Sequence, residues 1–185
     1  MSGKLTVSVC AVGDEKVGKS QLLLRFAQQP FGSYPRFDNY ERDFSVYGQQ
    51  VKIRALDTAS QDSYVKLRQL LYASTDVFLL CCPCDDAGAL ANLEKRWFEE
   101  LKKANHSKTP LILVLTKCDR RKDDGLDRAV LLNVDKVAHA ASKMKVADFF
   151  ECSAKTGDNV EAIFKRAAEL VIRRRKYDGR TCLIL

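Results

Sequence analysis

The sequence predicts a single α/β domain on a mostly parallel six-stranded sheet, with helices on both faces. Three observations carry this. Short β-rich runs alternate with longer amphipathic ones along the chain. Two of the runs, Val77–Cys82 and Leu111–Leu115, are apolar at every position, as expected of strands buried on both faces of a parallel sheet. The 185 residues, 46% hydrophobic and 30% charged, supply one core and show no composition break that would separate two. Disordered linkers, collagen-like repeats and disulfide-stapled miniproteins are excluded on the same grounds.

Taken in order, Leu5–Val12 is the first strand, and a glycine-bearing turn leads into a helix containing Gln21–Ala27. Phe44–Tyr47 and Gln50–Leu56 flank Gly48 and predict an antiparallel hairpin. Val77–Cys82 is a strand, Ala89–Lys103 has helical spacing, and Leu111–Leu115 is the next strand. Asp135–Lys145 predicts a helix and Asp148–Cys152 the last strand. Asn159–Arg174 closes the domain, with Val160, Ile163, Phe164, Ala167, Leu170 and Val171 on one face. The domain spans residues 1–177, and 178–185 form a tail. Ligands of such sheets bind outside the carboxyl ends of the strands, so the loops there are the first place to look.

The net charge of +7 is unevenly placed. From Ile163 to Leu185 there are seven basic residues against two acidic ones, a net of +5, which leaves the body nearly neutral. A basic tail on a neutral body points to a surface-seeking C-terminus, and no nucleic acid is expected as a partner. The seven cysteines are odd in number and several lie in apolar runs, which suits a reducing compartment. Cys81-Cys82-Pro83-Cys84 lacks a second pair at zinc-like spacing and reads as buried strand-end cysteines. His106 and His139 read as surface residues, and Trp97 as packing on its helix. No apolar stretch is long enough to span a membrane.

Directly after the first strand stands Gly13-Asp14-Glu15-Lys16-Val17-Gly18-Lys19-Ser20-Gln21. Its first eight residues fit G-x-x-x-x-G-K-[ST], the phosphate loop, in the required strand–helix context. Glycines let successive backbone N–H groups turn toward phosphate oxygens, and the helix N-terminus adds its dipole. Lys19 would reach the β- and γ-phosphates, and the Ser20 hydroxyl would ligate Mg²⁺. The competing reading is a plain glycine turn with a solvated lysine. Three further segments decide between them: Asp57-Thr58-Ala59-Ser60-Gln61, Thr116-Lys117-Cys118-Asp119 and Cys152-Ser153-Ala154-Lys155, each after a predicted strand. The Asp119 carboxylate can accept two hydrogen bonds from the guanine N1–H and N2 amine, which adenine does not supply.

With these motifs in order, the whole chain resembles a Ras-superfamily small GTPase, specifically of the Rho branch. The particular marks are Phe37-Asp38-Asn39-Tyr40, Thr-Lys-x-Asp at 116–119, and the terminal Cys182-Leu183-Ile184-Leu185. Arg120–Asp135 also resembles the extra helix of Rho proteins, in shortened form. The resemblance implies the P-loop NTPase fold, GTP and GDP as ligands with Mg²⁺, and a switch that binds effectors when GTP-loaded. It implies that Phe31 packs on the guanine, Asp119 reads it, Lys117 and Lys155 flank it, and Ala154 offers its N–H to O6. Thr116 and Ser153 belong to the same motifs. It further implies that Asp57 holds the Mg²⁺ shell and Gln61 orients the attacking water.

The departures from the pattern bear on catalysis. Glu15 stands where the family usually has glycine, crowding the place of Gln61 and of an incoming arginine. Its carboxylate also puts negative charge near a developing anionic transition state. Ser60 replaces the glycine of Asp-Thr-Ala-Gly-Gln and narrows the backbone angles open to that position. Tyr34-Pro35-Arg36-Phe37 is a shortened first switch with no threonine to ligate Mg²⁺. The expectation is a switch with weak GTP hydrolysis. An ordinary cycling GTPase stimulated by a GAP, and a nucleotide-poor scaffold on the same fold, are the alternatives.

Cys182-Leu183-Ile184-Leu185 is a C-a-a-X box whose final Leu favours geranylgeranyl. One prenyl chain binds membrane marginally, and Arg173–Lys176 with Arg180 supply the second signal toward anionic lipid. The expected location is the cytoplasmic face of a membrane with a cytosolic pool. Effectors would dock through Tyr34–Tyr40 and Gln61–Tyr64, and exchange factors, GAPs and a GDP-dissociation inhibitor are the other implied partners.

Overall fold

The computed structural model describes residues 4–34, 40–104, 106 and 108–177. Six strands, β1 (Leu5–Val12), β2 (Tyr40–Val46), β3 (Gln49–Asp57), β4 (Val77–Pro83), β5 (Leu111–Thr116) and β6 (Asp148–Glu151), form one sheet. Their order is β2-β3-β1-β4-β5-β6. Only β2 and β3 pair antiparallel; every other neighbour is parallel. β4 and β5 are buried at every position, because helices cover both faces, and this is why their sequences are unbroken apolar runs.

The helices are α1 (Lys19–Phe26), α2 (Val65–Ala73), α3 (Ala87–Asn92), α4 (Glu99–Lys103), α5 (Val134–Lys143) and α6 (Val160–Tyr177). A π-helical stretch, Leu93–Phe98, joins α3 to α4, so the predicted single helix is continuous but widened in its middle. Asp86 caps α3 by accepting from the Ala89 amide, and Asn133 caps α5 by accepting from Lys136. α1 and α6 meet through stacked rings, Phe26 and Phe164 at 3.9 Å between centroids, with Phe44 of β2 stacked 5.9 Å beyond Phe26.

Four expectations change. α2 was not foreseen from periodicity, and its burial explains why: only Arg68 and Tyr72 face inward while Leu67 and Leu70 are exposed. β2 begins at Tyr40, earlier than Phe44, because its charged residues pair across the hairpin, Glu41 with Lys52 and Arg54. The 120–135 stretch holds two 3₁₀ turns, Cys118–Lys122 and Arg128–Val130, rather than a shortened α-helix. Asp123 and Asp127 accept from the amides of Gly125 and Ala129, and these local turns compete with a helix. His106 is half-buried, its ring edge-on to Tyr72 and Phe78, not a surface residue. His139 is exposed as expected, and Cys81, Cys82 and Cys84 are buried at the end of β4.

Candidate functional site

The turn between β1 and α1 is dictated by glycine. Gly13 has φ +146°, and a Cβ there would lie 2.3 Å from the Cys81 carbonyl oxygen, so no other residue fits without moving β4. Gly18, at φ +102°, precedes α1, and a Cβ there would meet the Thr116 side chain at 3.4 Å. Thr116 donates to the Val17 carbonyl, locking the loop to the end of β5. Lys19 is buried, and its Nζ donates to the carbonyls of Gly13 and Asp14 at 2.8 and 2.7 Å. The ammonium thus holds the loop closed and keeps a third proton for an anion. Burial pushes its pKa below the usual lysine range, against the pull of neighbouring Asp57 and Asp14.

Beside it the Ser20 hydroxyl donates to Asp57 Oδ2 at 2.5 Å. Asp57 Oδ1 is buried with no hydrogen-bond partner. Burial raises this carboxyl above its ordinary value, opposed by Ser20 and Lys19. A buried carboxylate oxygen without a donor next to a serine hydroxyl fits a hydrated divalent cation, whose water would supply the missing bond. Ser20 and Asp57 are therefore the residues suited to hold Mg²⁺, Ser20 directly and Asp57 through water. Thr58 fixes the end of β3 by donating to Ala11 at 2.6 Å.

On the other flank a cavity of about 340 Å³ is lined by Lys16, Gly18, Lys19, Ser20, Gln21 and Phe31, then by Thr116, Lys117, Asp119, Ala154 and Lys155. Ser153 is fully buried and donates to Asp119 Oδ1 at 2.6 Å. Among the described residues nothing donates to Asp119 Oδ2, which is left for a ligand. Lys117 takes the left-handed conformation, φ +60°, which turns the chain under the cavity. The Cys118 amide donates to the Cys152 carbonyl at 2.9 Å, so the 116–119 and 152–155 segments form one floor. Phe31 is exposed at the rim, and Gln21 braces the loop carrying it by accepting from the Gly32 amide at 2.8 Å.

A second cavity, of about 590 Å³, shares Lys16, Lys19 and Ser20 with the first and extends past Glu15, Asp57, Ser60, Gln61 and Tyr64. Glu15 and Gln61 are both exposed, and Ser60 does not adopt positive φ. The rear wall is a network that sequence reasoning missed. Arg68, 1% exposed, donates to the carbonyls of Ala59 and Gln61 at 2.9 and 2.7 Å and to both oxygens of Glu100. Tyr72 donates to the same carboxylate at 2.8 Å. Arg96 donates to the Ser60 carbonyl and to Asp62, each at 2.6 Å. Trp97 packs in its helix as expected, and its indole N–H also donates to Asp14 at 2.8 Å. Apart from the Arg68 bonds to Ala59 and Gln61, these partners are about 30 to 80 residues apart in the chain, so no local pattern announces them.

The predicted site residues from Gly13 to Gln21, with Phe31, Asp57, Ser60, Gln61, Thr116, Lys117, Asp119, Ser153, Ala154 and Lys155, thus gather along one end of the sheet. Tyr34 is exposed, whereas Phe37, Asp38 and Asn39 of the first switch and Cys182 of the tail lie outside the described residues. Among the described residues no helix is long and apolar enough to cross a membrane.

A parallel sheet, a glycine loop leading into a helix, and cavities at the strand ends together define a P-loop nucleotide-binding domain. The family model "Ras family" matches residues 8–173. The protein named Rho-related GTP-binding protein RhoB, from Homo sapiens, Mus musculus and Rattus norvegicus, is 33% identical over 181 residues, covering 93% of this chain and 92% of the relative. The chain belongs to the Ras superfamily of small GTPases, in its Rho family. Members of this family bind guanine nucleotide and generally Mg²⁺.

Proposed function

We propose that this chain is a membrane-anchored guanine-nucleotide switch that engages effectors in its GTP state and hydrolyses GTP feebly. The observation that carries the reading is the pair of joined cavities along the strand ends. In the first, Asp119 Oδ2 is open to the guanine N1–H and N2 amine, Phe31 covers the base and Lys117 and Lys155 flank it. The N–H groups of residues 15–20 and the Lys19 ammonium would hold the nucleotide's phosphates. Mg²⁺ neutralises phosphate charge when bound, and Ser20 and Asp57 are placed to hold it.

The second cavity is where the terminal phosphate and an attacking water belong, with Gln61 at its edge. Glu15 shares that cavity, and its carboxylate opposes the charge that builds on the transferring phosphoryl group. Arg68 and Arg96 hold the carbonyls of residues 59–61, so the peptide at Ser60 is braced from behind. A phosphate sensor needs that peptide to move. Slow hydrolysis leaves GTP in place, and control passes to the amount and location of the protein. Effectors then read the Tyr34–Tyr40 and Gln61–Tyr64 surfaces, in the actin, polarity or membrane-traffic roles the family implies, with exchange factors, GAPs and a GDP-dissociation inhibitor as the other kinds of partner.

A geranylgeranyl group on Cys182, with Arg173–Lys176, anchors the protein to the cytoplasmic face of an anionic membrane. Cys182→Ser should shift it to the cytosol on fractionation; persistent membrane binding would defeat the lipid anchor. The deciding test of the switch is the nucleotide recovered from freshly purified protein kept in Mg²⁺ and then denatured for chromatography. Mostly GTP supports the proposal. Mostly GDP favours the second reading, a cycling GTPase, for which the presence of Lys19, Ser20, Asp57 and Gln61 already speaks. Empty protein that then binds no added GTP would make the fold a scaffold.

A further inference from the structure

We propose that Arg120 is a further base-binding residue, laying its planar guanidinium on the face of the nucleotide base while Asp85 holds it by the edge. This rests on the guanine-nucleotide reading and adds to it a side chain that lies outside all four nucleotide motifs.

The local backbone sets the direction of this side chain. Arg120 follows Asp119 within the 3₁₀ turn Cys118–Lys122, and its amide donates to the Lys117 carbonyl at 3.0 Å. Such a turn has three residues per revolution, so consecutive side chains leave it about 120° apart. Asp119 turns toward Ser153 and keeps Oδ2 for the edge of a base. Arg120 points elsewhere and does not compete for that edge, yet it lines the same cavity. Next to Asp119, it belongs with the base and not with the phosphates.

Its position is fixed from outside the cavity. The Arg120 Nη1 is ion-paired with Asp85 Oδ2. Asp85 is 8% exposed against 41% for Arg120, so the carboxylate is the anchored partner. Asp85 stands in the link from β4 to α3, and that link is tied to the cavity floor. The Cys84 amide donates to the Thr116 carbonyl at 2.9 Å, and the Cys84 thiol to the Lys117 carbonyl at 3.2 Å. The arginine is therefore placed before a ligand arrives, which lowers the cost of ordering it.

An ion pair made through the rim of a guanidinium leaves its two flat faces open. Elsewhere the molecule covers such faces: Arg68 and Arg96 lie 5.0 and 4.6 Å from the centre of the Trp97 ring. Among the described residues no aromatic ring lies against Arg120. A purine in the cavity would be that ring. The other long cations lining the cavity, Lys16, Lys117 and Lys155, end in compact, strongly hydrated ammonium groups that lie poorly on a flat surface.

The test follows release of radiolabelled GDP, and separately of GTPγS, from full-length protein in Mg²⁺ after dilution into unlabelled nucleotide. Arg120→Ala should speed release of both by the same factor, about tenfold, because the lost contact is to the base they share. Arg120→Lys keeps the charge and should recover little of this. Asp85→Asn should speed release only about two- to fivefold, since a half-exposed ion pair positions the arginine without touching the base. Asp85→Asn/Arg120→Ala, which strands no carboxylate, should still release about tenfold faster. The single-turnover rate of GTP hydrolysis, set in the second cavity, should stay unchanged in all four. Release at the parent rate from Arg120→Ala, or full recovery by Arg120→Lys, would overturn the stacking role. Equal acceleration by Arg120→Ala and Asp85→Asn would also overturn it, as the mark of a pair that only braces the loop, and so would a changed hydrolysis rate. A parent protein that takes up no labelled nucleotide would overturn the guanine-nucleotide reading itself, and this proposal with it.

Discussion

At the residue scale, the positions that define this site are those where chemistry leaves no substitute. Gly13 is one, since any side chain there meets the Cys81 carbonyl. Gly13→Ala should strain the loop by on the order of 1–3 kcal/mol and weaken GTP binding about 10- to 100-fold, read by fluorescent-nucleotide titration; unchanged affinity would mean the loop can shift away from β4. Glu15 is the opposite case: it is exposed, so the loop itself accommodates it, but it is expected to oppose hydrolysis by crowding the place of Gln61 and by its charge. Replacing it with Gly should raise single-turnover GTP hydrolysis by about tenfold or more, equivalent to about 1.4 kcal/mol of barrier. An unaltered rate in Glu15→Gly would shift the blame to Ser60 and the first switch.

At the scale of elements, α2 and the α3–α4 helix are held together by charge rather than grease. Arg68 meets a carboxylate that three hydrogen bonds satisfy, two from its own guanidinium and one from Tyr72. The Glu100 pKa stays below its ordinary value: its own burial works to raise it, but the bonds from Arg68 and Tyr72 prevail. Truncating one partner of such a buried pair costs about 3–5 kcal/mol because the other charge is stranded. Arg68→Met should accordingly lower the urea midpoint sharply, whereas Arg68→Met/Glu100→Leu should recover a good part of the loss. Failure of the double variant to recover would show that the bonds to Ala59 and Gln61, not the ion pair, carry the stability. This pair also marks the limit of sequence reading. β4 and β5 were legible as unbroken apolar runs buried on both faces, α1 and α6 because their apolar residues keep a period set by one buried face, and the phosphate loop because its glycines and lysine stand at a fixed short spacing. α2 was not, because its inward residues are an arginine and a tyrosine. The 120–135 stretch misled because its aspartates make local turns. Asp119 could be assigned from its motif, but its partner Ser153 becomes visible only when β5 and β6 lie side by side.

At the scale of the whole molecule, the nucleotide cavities join most of the sheet. Their lining comes from the ends of β1, β3, β5 and β6, and the buried charges there, Lys19 and Asp57, are only partly satisfied by protein. A ligand that completes them binds the folded chain and not the unfolded one, so it must raise stability by mass action. At a free GTP concentration about 100 times Kd the gain is about 2.7 kcal/mol. For a chain of this size that corresponds to a rise in Tm of about 5–10 °C. ATP at the same concentration should give far less, because Asp119 has no pair of donors to receive from adenine. Adding EDTA should remove part of the GTP effect, since Asp57 Oδ1 then loses the water that a bound cation would direct at it. Equal shifts from GTP and ATP would place the base outside the Asp119 cavity. No shift from either, in protein shown to be free of nucleotide beforehand, would mean that Lys19 serves only to close its own loop and that the fold works without the ligand its family binds.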